Sequence, residues 1–153
     1  ESNANGHYVL WPKNPQASAN RCWEFIRKHF GIRHVGVIIT DSTSNPMRLG
    51  VTGRSIACCG FYPITSRIGH SDLFGKPLKQ TRINVADGLA GAAVLVMGES
   101  DEQTPLAVIE DVPFVEFMDE IPTEEQLRSW SVTVEDDLYS CFLTRMNWHS
   151  RKK

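Results

Sequence analysis

The clearest structural pattern in the chain is the stretch Val35-Gly36-Val37-Ile38-Ile39-Thr40-Asp41-Ser42-Thr43-Ser44-Asn45-Pro46. Its apolar and β-branched half predicts a buried strand over residues 35–40. An acid and a hydroxyl follow directly, and a turn-rich loop comes after them. A strand that ends in this way brings polar side chains to the edge of a sheet, where a metal ion or a phosphate can reach them.

The composition excludes several classes of protein. The 153 residues are 41% hydrophobic and 22% charged, which suits one soluble globular domain and argues against disorder. A formal net charge of -2 gives no general attraction to nucleic acid or to acidic membranes. No apolar run approaches the roughly 20 residues of a membrane helix, and no signal peptide opens the chain.

The cysteines and the first residues bear on the origin of the chain. None of the four cysteines lies in a C-x-x-C pair, so reduced thiols in a cytoplasmic protein are expected. Adjacent Cys58 and Cys59 fit two small strand residues, although a redox pair is the alternative. The chain starts at Glu1 without methionine, and we expect a fragment with essential residues upstream.

Two helices are predicted from their caps and spacing. The first is capped by Asn14, starts at Pro15 and stops near Gly31. Its expected buried stripe is Ala19, Cys22, Trp23, Ile26 and Phe30. The second is capped by Asn84 and ends at Gly98. Its expected apolar face is Val85, Leu89, Ala92, Ala93 and Val96, and its glycines at 88 and 91 suggest close packing against a neighbour.

The remaining segments complete an α+β prediction. Strands are predicted over residues 54–61, 62–68 and 105–110, with a loop over residues 70–77. Strands and helices do not alternate strictly, which favours an α+β fold with a mixed β-sheet and packed helices. We assign residues 1–118 to a catalytic domain and residues 119–153 to a helical extension, with helices capped by Thr123 and Thr133.

Three oxygen-bearing residues are candidate metal ligands. Carboxylate and hydroxyl oxygens suit Mg²⁺ or Mn²⁺, and Asp41 and Ser42 supply both kinds. Glu99 follows a helix C-terminus, where a negative charge is disfavoured unless a cation compensates it. The alternatives are that Asp41 only caps a turn and that Glu99, Asp101 and Glu102 form a solvated acidic loop.

Other groups offer weaker indications of chemistry. Arg48 and the other basic residues of the glycine-rich middle can bind phosphate or carboxylate. Ser42, His70 and Asp72 can be arranged as a hydrolytic triad, although no G-x-S-x-G elbow surrounds any serine.

Seven short pieces of the chain match one known family in register. They are Glu1-Ser2-Asn3; Leu10-Trp11-Pro12 with Pro15 and Ala19; residues 37–42; Pro46, Arg48 and Gly50; Gly69, Asp72, Gly75 and Leu78; Ala86-Asp87 with Ala90, Ala92 and Ala93; and Val96-Met97-Gly98-Glu99 with Thr104-Pro105. Together they resemble the coenzyme F420-0:γ-glutamyl ligases and the related ligases of folate metabolism. The tail around residues 135–139 looks more like the folate-type members.

The resemblance implies an amide-forming ligase that joins L-glutamate to a small-molecule carboxylate with GTP, or ATP, and divalent metal. By analogy, Asp41 and Ser42 bind Mg²⁺ or Mn²⁺, Glu99 holds a second ion, and Arg48 joins Asp41 as a candidate catalytic residue. The guanine nucleotide would contact Asn3 and a loop. That loop comprises Met97, Gly98, Glu99, Ser100, Asp101, Glu102, Gln103 and Thr104.

The resemblance also implies a homodimer with the site near its interface. The family's other metal-binding aspartate falls immediately before Glu1, and its amino-terminal nucleotide-binding segments also lie outside this chain. Ser44-Asn45 replaces a frequent Gly-Arg, and Glu99 replaces a neutral amide of some members. The alternative function is therefore a non-catalytic nucleotide- or metal-binding module of the same fold.

Overall fold

The structure, a computed structural model, describes residues 9–145. The chain divides into two compact units, one up to Ile121 and one from Pro122 onward. The first unit contains α1 (Pro15–Phe30), β1 (Val37–Ser44), β2 (Val51–Cys59), β3 (Ile64–Ser66), β4 (Arg82–Asn84) and α2 (Val85–Met97). The second contains α3 (Glu124–Ser129) and α4 (Ser140–Arg145). The α+β class predicted from the sequence is confirmed.

Helix α1 has the predicted bounds. The Asn14 side chain accepts a hydrogen bond from the Ala17 backbone N–H, and Gly31 ends the helix with φ of 66°. Ala19 and Trp23 are buried as expected, but Cys22 and Phe30 are exposed. The predicted stripe was too wide because the helix covers only one strand pair, so only the centre of the stripe meets the sheet.

Strands β1 and β2 form an antiparallel hairpin that is longer than predicted. β1 continues to Ser44, so Asp41 and Ser42 lie within the strand and not beyond its end. Asp41 pairs with Arg54, and Ser42 pairs with Gly53. Ile39 pairs with Ala57 and Thr40 pairs with Ser55, which leaves an extra residue on β2 as a bulge. Backbone pairing across the hairpin therefore overrode the turn propensity of the serines and threonines.

The predicted mixed sheet was wrong for the described residues, since both of their sheets are two-stranded and antiparallel. The second sheet pairs β3 with β4, a strand that the sequence did not predict. Residues 105–110 form no strand, because no neighbouring strand of the described chain offers them backbone partners.

Helix α2 begins and ends where predicted, but its buried face differs. The Asn84 side chain accepts from the Asp87 backbone N–H, and the buried residues are Val85, Ala86, Ala90 and Val94. Ala92 and Val96, both expected on the apolar face, are exposed. The close approach is made by a strand glycine: a Cβ at Gly53 would overlap the Ala90 carbonyl oxygen and lie 2.6 Å from Val94 Cγ2.

The β1–β2 hairpin lies between two small cores. On one face, Ala57 and Cys59 pack with Ala19 and Trp23 of α1, joined by Val35, Val37 and Ile39. On the other face, Cys58 packs with Phe61, Val85 and Ala86, joined by Ile38, Leu89 and Val115. Successive residues of β1 therefore contact opposite helices, which fixes the directions of the polar residues that follow.

The second unit contains two short helices. Thr123 and Gln126 form the predicted capping box of α3. Thr133 caps only a turn, through a hydrogen bond from the Asp136 backbone N–H, and α4 starts later, at Ser140. No helix within residues 9–145 is long and apolar enough to cross a bilayer.

Candidate functional site

An open cavity of about 500 Å³ lies where the polar half of β1 meets the end of α2. Its lining comes from three elements: β1, the last turn of α2 and the loop that follows. The residues are Thr40, Asp41, Ser42, Val94, Met97, Gly98, Glu99, Ser100, Glu102, Gln103, Thr104 and Pro105. The fold thus brings two segments more than fifty residues apart in sequence to one site.

The cavity contains most of the residues that the sequence singled out. Asp41, Ser42 and Glu99 line it together with six further residues of the 97–104 loop. Asp101 belongs to the same loop but is not part of the lining. Arg48 is exposed in the turn between β1 and β2, and β1 runs three residues, about 10 Å, beyond Asp41 before that turn begins. Asn3 lies outside the described residues.

The Asp41 carboxylate is held by two hydrogen bonds. The Trp11 indole Nε1–H donates to Oδ2 at 2.6 Å, and the Ser42 backbone N–H donates to Oδ1 at 2.9 Å. A carboxylate offers about four lone-pair positions, so each oxygen keeps capacity for one more partner. Asp41 is therefore fixed in orientation but still able to bind a cation.

Strand alternation separates the side chains of Asp41 and Ser42. Ile39 packs on the α1 face and Ile38 on the α2 face, so Asp41 continues the α1 face while Thr40 and Ser42 continue the α2 face. The close packing of Gly53, the partner of Ser42, against α2 agrees with this assignment. The two residues therefore approach the cavity from opposite sides of β1, which the prediction of a loop after the strand did not anticipate.

The loop after α2 is held by its own side chains. The Ser100 backbone N–H donates to Glu102 Oε2 at 2.8 Å, and the Thr104 hydroxyl donates to the Met97 carbonyl. Gly98 has φ of 81°, and a Cβ there would overlap the Glu102 carboxyl group. The backbone N–H groups of Glu102 and Ser100 lower the pKa of the Glu102 carboxyl. The loop is thus closed by its own hydrogen bonds, and its acidic side chains at residues 99, 101 and 102 remain exposed, as in the solvated loop that was one interpretation of the sequence.

The cavity is acidic. Three of the lining residues, Asp41, Glu99 and Glu102, are acidic, and none of the lining residues is basic. Arg54 stands opposite Asp41 in the strand register and is the nearest cation along β2. The C-terminal end of α2 adds the negative end of a helix dipole beside Glu99. An anionic substrate would be repelled from this surface unless cations bind first.

The oxygen ligands fit a hard divalent cation that takes few protein ligands. No group of three or more histidine, cysteine, aspartate or glutamate residues that could hold a metal ion occurs within the described chain. Magnesium usually takes one or two carboxylates and completes its shell with water and phosphate oxygens. Asp41 on one side, with Glu99 and the hydroxyls of Thr40 and Ser42 elsewhere in the lining, suits that kind of site.

Two alternative chemistries have less support from the geometry. His70 and Asp72 do not line the cavity that contains Ser42. Asp72 accepts hydrogen bonds from the backbone N–H groups of Phe74 and Lys76, so it stabilises a turn. Burial raises the pKa of the Cys58 thiol to about 12 and that of Cys59 to about 11. Both are free thiols and are inert at neutral pH, which favours small strand residues over a redox pair.

Sequence reasoning missed Trp11 and Thr40. Trp11 entered the sequence analysis only within the Leu10-Trp11-Pro12 match, and its indole N–H, which needs a partner, was the available signal. Thr40 was interpreted as the last residue of the buried strand. Its place two residues before Ser42 puts both hydroxyls on one face, which became visible only when the strand was seen to continue.

Comparison with known proteins identifies the family of the chain. Residues 1–111 match the model of the F420-0:gamma-glutamyl ligase family. The chain belongs to this family. All residues that line the cavity fall within the matched range.

Several coenzyme F420:L-glutamate ligases are similar to this member of the F420-0:gamma-glutamyl ligase family. A coenzyme F420:L-glutamate ligase of Methanocaldococcus jannaschii is 44% identical over 116 residues, 74% of this chain and 46% of the relative. One from Methanococcus maripaludis strain C6 is 43% identical over 113 residues, 74% and 45% of the two chains. One from Methanopyrus kandleri is 42% identical over 109 residues, 71% and 43%. The chain spans about half the length of the curated relatives it matches.

Proposed function

We propose that this chain forms part of a nucleotide- and metal-dependent γ-glutamyl ligase. Family membership supports the ligase class, and the names of the relatives support L-glutamate as the amine donor. The observation that carries the proposal for this chain is the shared cavity of Asp41, Ser42, Glu99 and the 97–104 loop. The fold brings together residues that the family resemblance had singled out one by one.

The proposed reaction needs an activated carboxylate. A carboxylate oxygen of the acceptor attacks the γ-phosphorus of GTP, the bond to the β-phosphate oxygen breaks, and an acyl phosphate and GDP form. The amine of L-glutamate then attacks the acyl carbon, inorganic phosphate leaves, and the amine loses a proton to give the amide. Phosphoryl transfer of this kind depends mainly on positioned charge, with little covalent help from the protein.

The residues of the cavity have distinct proposed roles. Asp41 would hold one Mg²⁺ or Mn²⁺ ion, and Glu99 with the Thr40 and Ser42 hydroxyls would hold a second. A bound divalent cation supplies charge neutralisation and Lewis-acid polarisation of phosphoryl oxygens. Because the lining residues include no basic side chain, neutralisation of the triphosphate would fall to such ions. Met97–Thr104 would contact the nucleotide, as would Asn3, and Arg48, which lies outside the lining, would join Asp41 as a catalytic residue.

The acceptor and the assembly are further parts of the proposal. The names of the relatives favour an F420-0-type acceptor, while the tail around residues 135–139, beyond the family match, favours a folate-type one. A homodimer would cover apolar side chains that are almost fully exposed, such as Met47, Leu49 and Leu95. Exposed apolar area on this scale is typical of surfaces that other protein segments cover.

Calorimetric titration with nucleotide tests the proposal. We expect GTP or ATP to release binding heat only when Mn²⁺ is present, and Asp41→Asn to remove that heat. In a glutamate-ligation assay of the full-length protein, the same variant should lose about 100-fold or more in rate, because loss of a metal contact removes several kcal/mol of charge stabilisation. Asp111→Asn is the matched control, since Asp111 is exposed and does not line the cavity.

The results separate the two candidate functions. Metal-dependent nucleotide binding without ligation would favour the non-catalytic binding module. If nucleotide binding heat depends neither on Mn²⁺ nor on the Asp41→Asn change, the metal role of Asp41 and the proposed site are both contradicted.

A further inference from the structure

The contact between Trp11 and Asp41 joins two distant parts of the chain at the edge of the cavity. The two side chains are 30 residues apart in sequence, and their N···O distance is 2.6 Å. Trp11 is 60% exposed, so water could satisfy its indole N–H equally well. The bond therefore matters less for the indole than for the carboxylate, whose orientation it restricts.

We propose that Trp11 is a positioning residue that holds the Asp41 carboxylate ready for a divalent cation. This inference rests on the proposed function, in which Asp41 is a metal ligand. The Trp11 indole and the Ser42 backbone N–H each occupy one oxygen, so the carboxylate cannot rotate without losing a bond. Each carboxylate oxygen keeps one free acceptor position. The two hydrogen bonds fix the directions of these two positions.

The chemistry of the indole suits this role better than that of other donors. An indole N–H is a donor only, so Trp11 cannot compete with Asp41 for the cation as a histidine would. It carries no charge, so it does not repel the cation as a lysine or arginine would. Partners that orient a metal ligand typically change metal affinity by about 10- to 100-fold when removed. Trp11 also precedes Pro12 and the capped start of α1 by only a few residues, which limits its freedom.

Mn²⁺ binding without nucleotide tests the inference. We would measure the dissociation constant by the paramagnetic resonance signal of free Mn²⁺ for the wild-type chain, Trp11→Phe, Asp41→Asn and Trp130→Phe. Trp11→Phe keeps an aromatic ring but removes the N–H together with the five-membered ring that carries it, and Trp130→Phe makes the same change in the second unit as the matched control. We expect about 10-fold weaker Mn²⁺ binding for Trp11→Phe, unchanged Mn²⁺ affinity for Trp130→Phe, and an unchanged unfolding midpoint for Trp11→Phe and Asp41→Asn.

A second readout locates the ion. In a ¹⁵N-labelled chain, Mn²⁺ at Asp41 should broaden the indole N–H resonance of Trp11 far more than that of buried Trp23, and Asp41→Asn should remove the difference. Preferential broadening with unchanged affinity in Trp11→Phe would overturn the positioning role while leaving the metal site intact. Absence of preferential broadening, or wild-type affinity in Asp41→Asn, would instead refute the metal role of Asp41 and both proposals with it.

Discussion

The two halves of β1 lie in different environments within one strand. Residues 37–39 pack between both helices, with Val37 and Ile39 against the α1 cluster and Ile38 against the α2 cluster. Residues 40–42 keep the same alternation but line an open cavity. The bulge between the Ile39 and Thr40 pairs marks the change. A rigid core half thus fixes the directions of polar side chains in the half that carries the site, as functional sites on regular elements require.

Truncation of Trp23 should destabilise the packing around residues 37–39 more than any other change considered below. Trp23 is 4% exposed, packs on the β1–β2 hairpin and donates its indole N–H to the Val35 carbonyl at 2.9 Å. We expect Trp23→Ala to lower the free energy of unfolding by about 3–5 kcal/mol, measured by chemical denaturation. Phe25→Ala on the same helix is the control, because Phe25 is 62% exposed and should cost far less. Equal losses in the two variants would contradict the assignment of this core.

A substitution at Gly53 tests the contact between α2 and the end of the hairpin that carries Asp41 and Ser42. A Cβ there would overlap the Ala90 carbonyl oxygen and crowd Val94, so Gly53→Ala should cost about 1–3 kcal/mol of unfolding free energy. Gly88→Ala is the matched control. No atom lies within 4 Å of a Cβ at Gly88, and alanine gains up to about 1 kcal/mol over glycine in a helix. The two alanine variants should therefore shift the thermal midpoint in opposite directions.

The buried thiols make the core half sensitive to high pH. Burial raises the pKa of Cys58 from 9.0 to about 12 and that of Cys59 from 9.0 to about 11. Between those values the unfolded chain has lost thiol protons that the folded chain keeps, so stability is full below pH 9 and falls as pH rises. For Cys58 the loss is about 1 kcal/mol at pH 10. Cys58→Ala should reduce the fall of the denaturation midpoint between pH 9 and 11, and the remaining fall should come from Cys59.

Local signals predicted the helices of the first unit well. Asn14, Asn84 and the glycines that follow each helix fixed the bounds of α1 and α2 to the residue. Capping depends on hydrogen bonds within four residues, so the chain needs no tertiary partner to specify it. Burial was less predictable. Cys22 and Val96 fit an apolar stripe, yet they are exposed. An apolar stripe in the sequence does not show how much of the helix the neighbouring strands will cover.

Three residues that line the candidate cavity were singled out from the sequence, but their geometry was not predicted. Asp41, Ser42 and Glu99 were singled out from sequence, and they line one cavity. The placement of Asp41 and Ser42 on opposite faces of β1 depends on their cross-strand pairing to residues 54 and 53, which no local pattern encodes. The Trp11 indole reaches Asp41 across 30 residues of sequence, a contact that no local pattern predicts. Long-range pairing therefore decides which way a correctly chosen residue points.

The smallest expected effect concerns the loop at the far side of the cavity. Glu102 Oε2 accepts the Ser100 backbone N–H at 2.8 Å, and this contact helps to lower the pKa of the Glu102 carboxyl. Glu102→Gln replaces the charged acceptor with a weaker neutral one, so we expect faster hydrogen exchange of the Ser100 amide and almost no change in global unfolding. Glu110→Gln, outside the cavity lining, should leave the exchange rate of that amide unchanged.

In the wild-type chain the protection of the Ser100 amide should fade as pH falls through the depressed pKa of Glu102, because the contact favours the ionised carboxylate. Protection that persists in Glu102→Gln at every pH would show that the loop stays closed without the Glu102 contact.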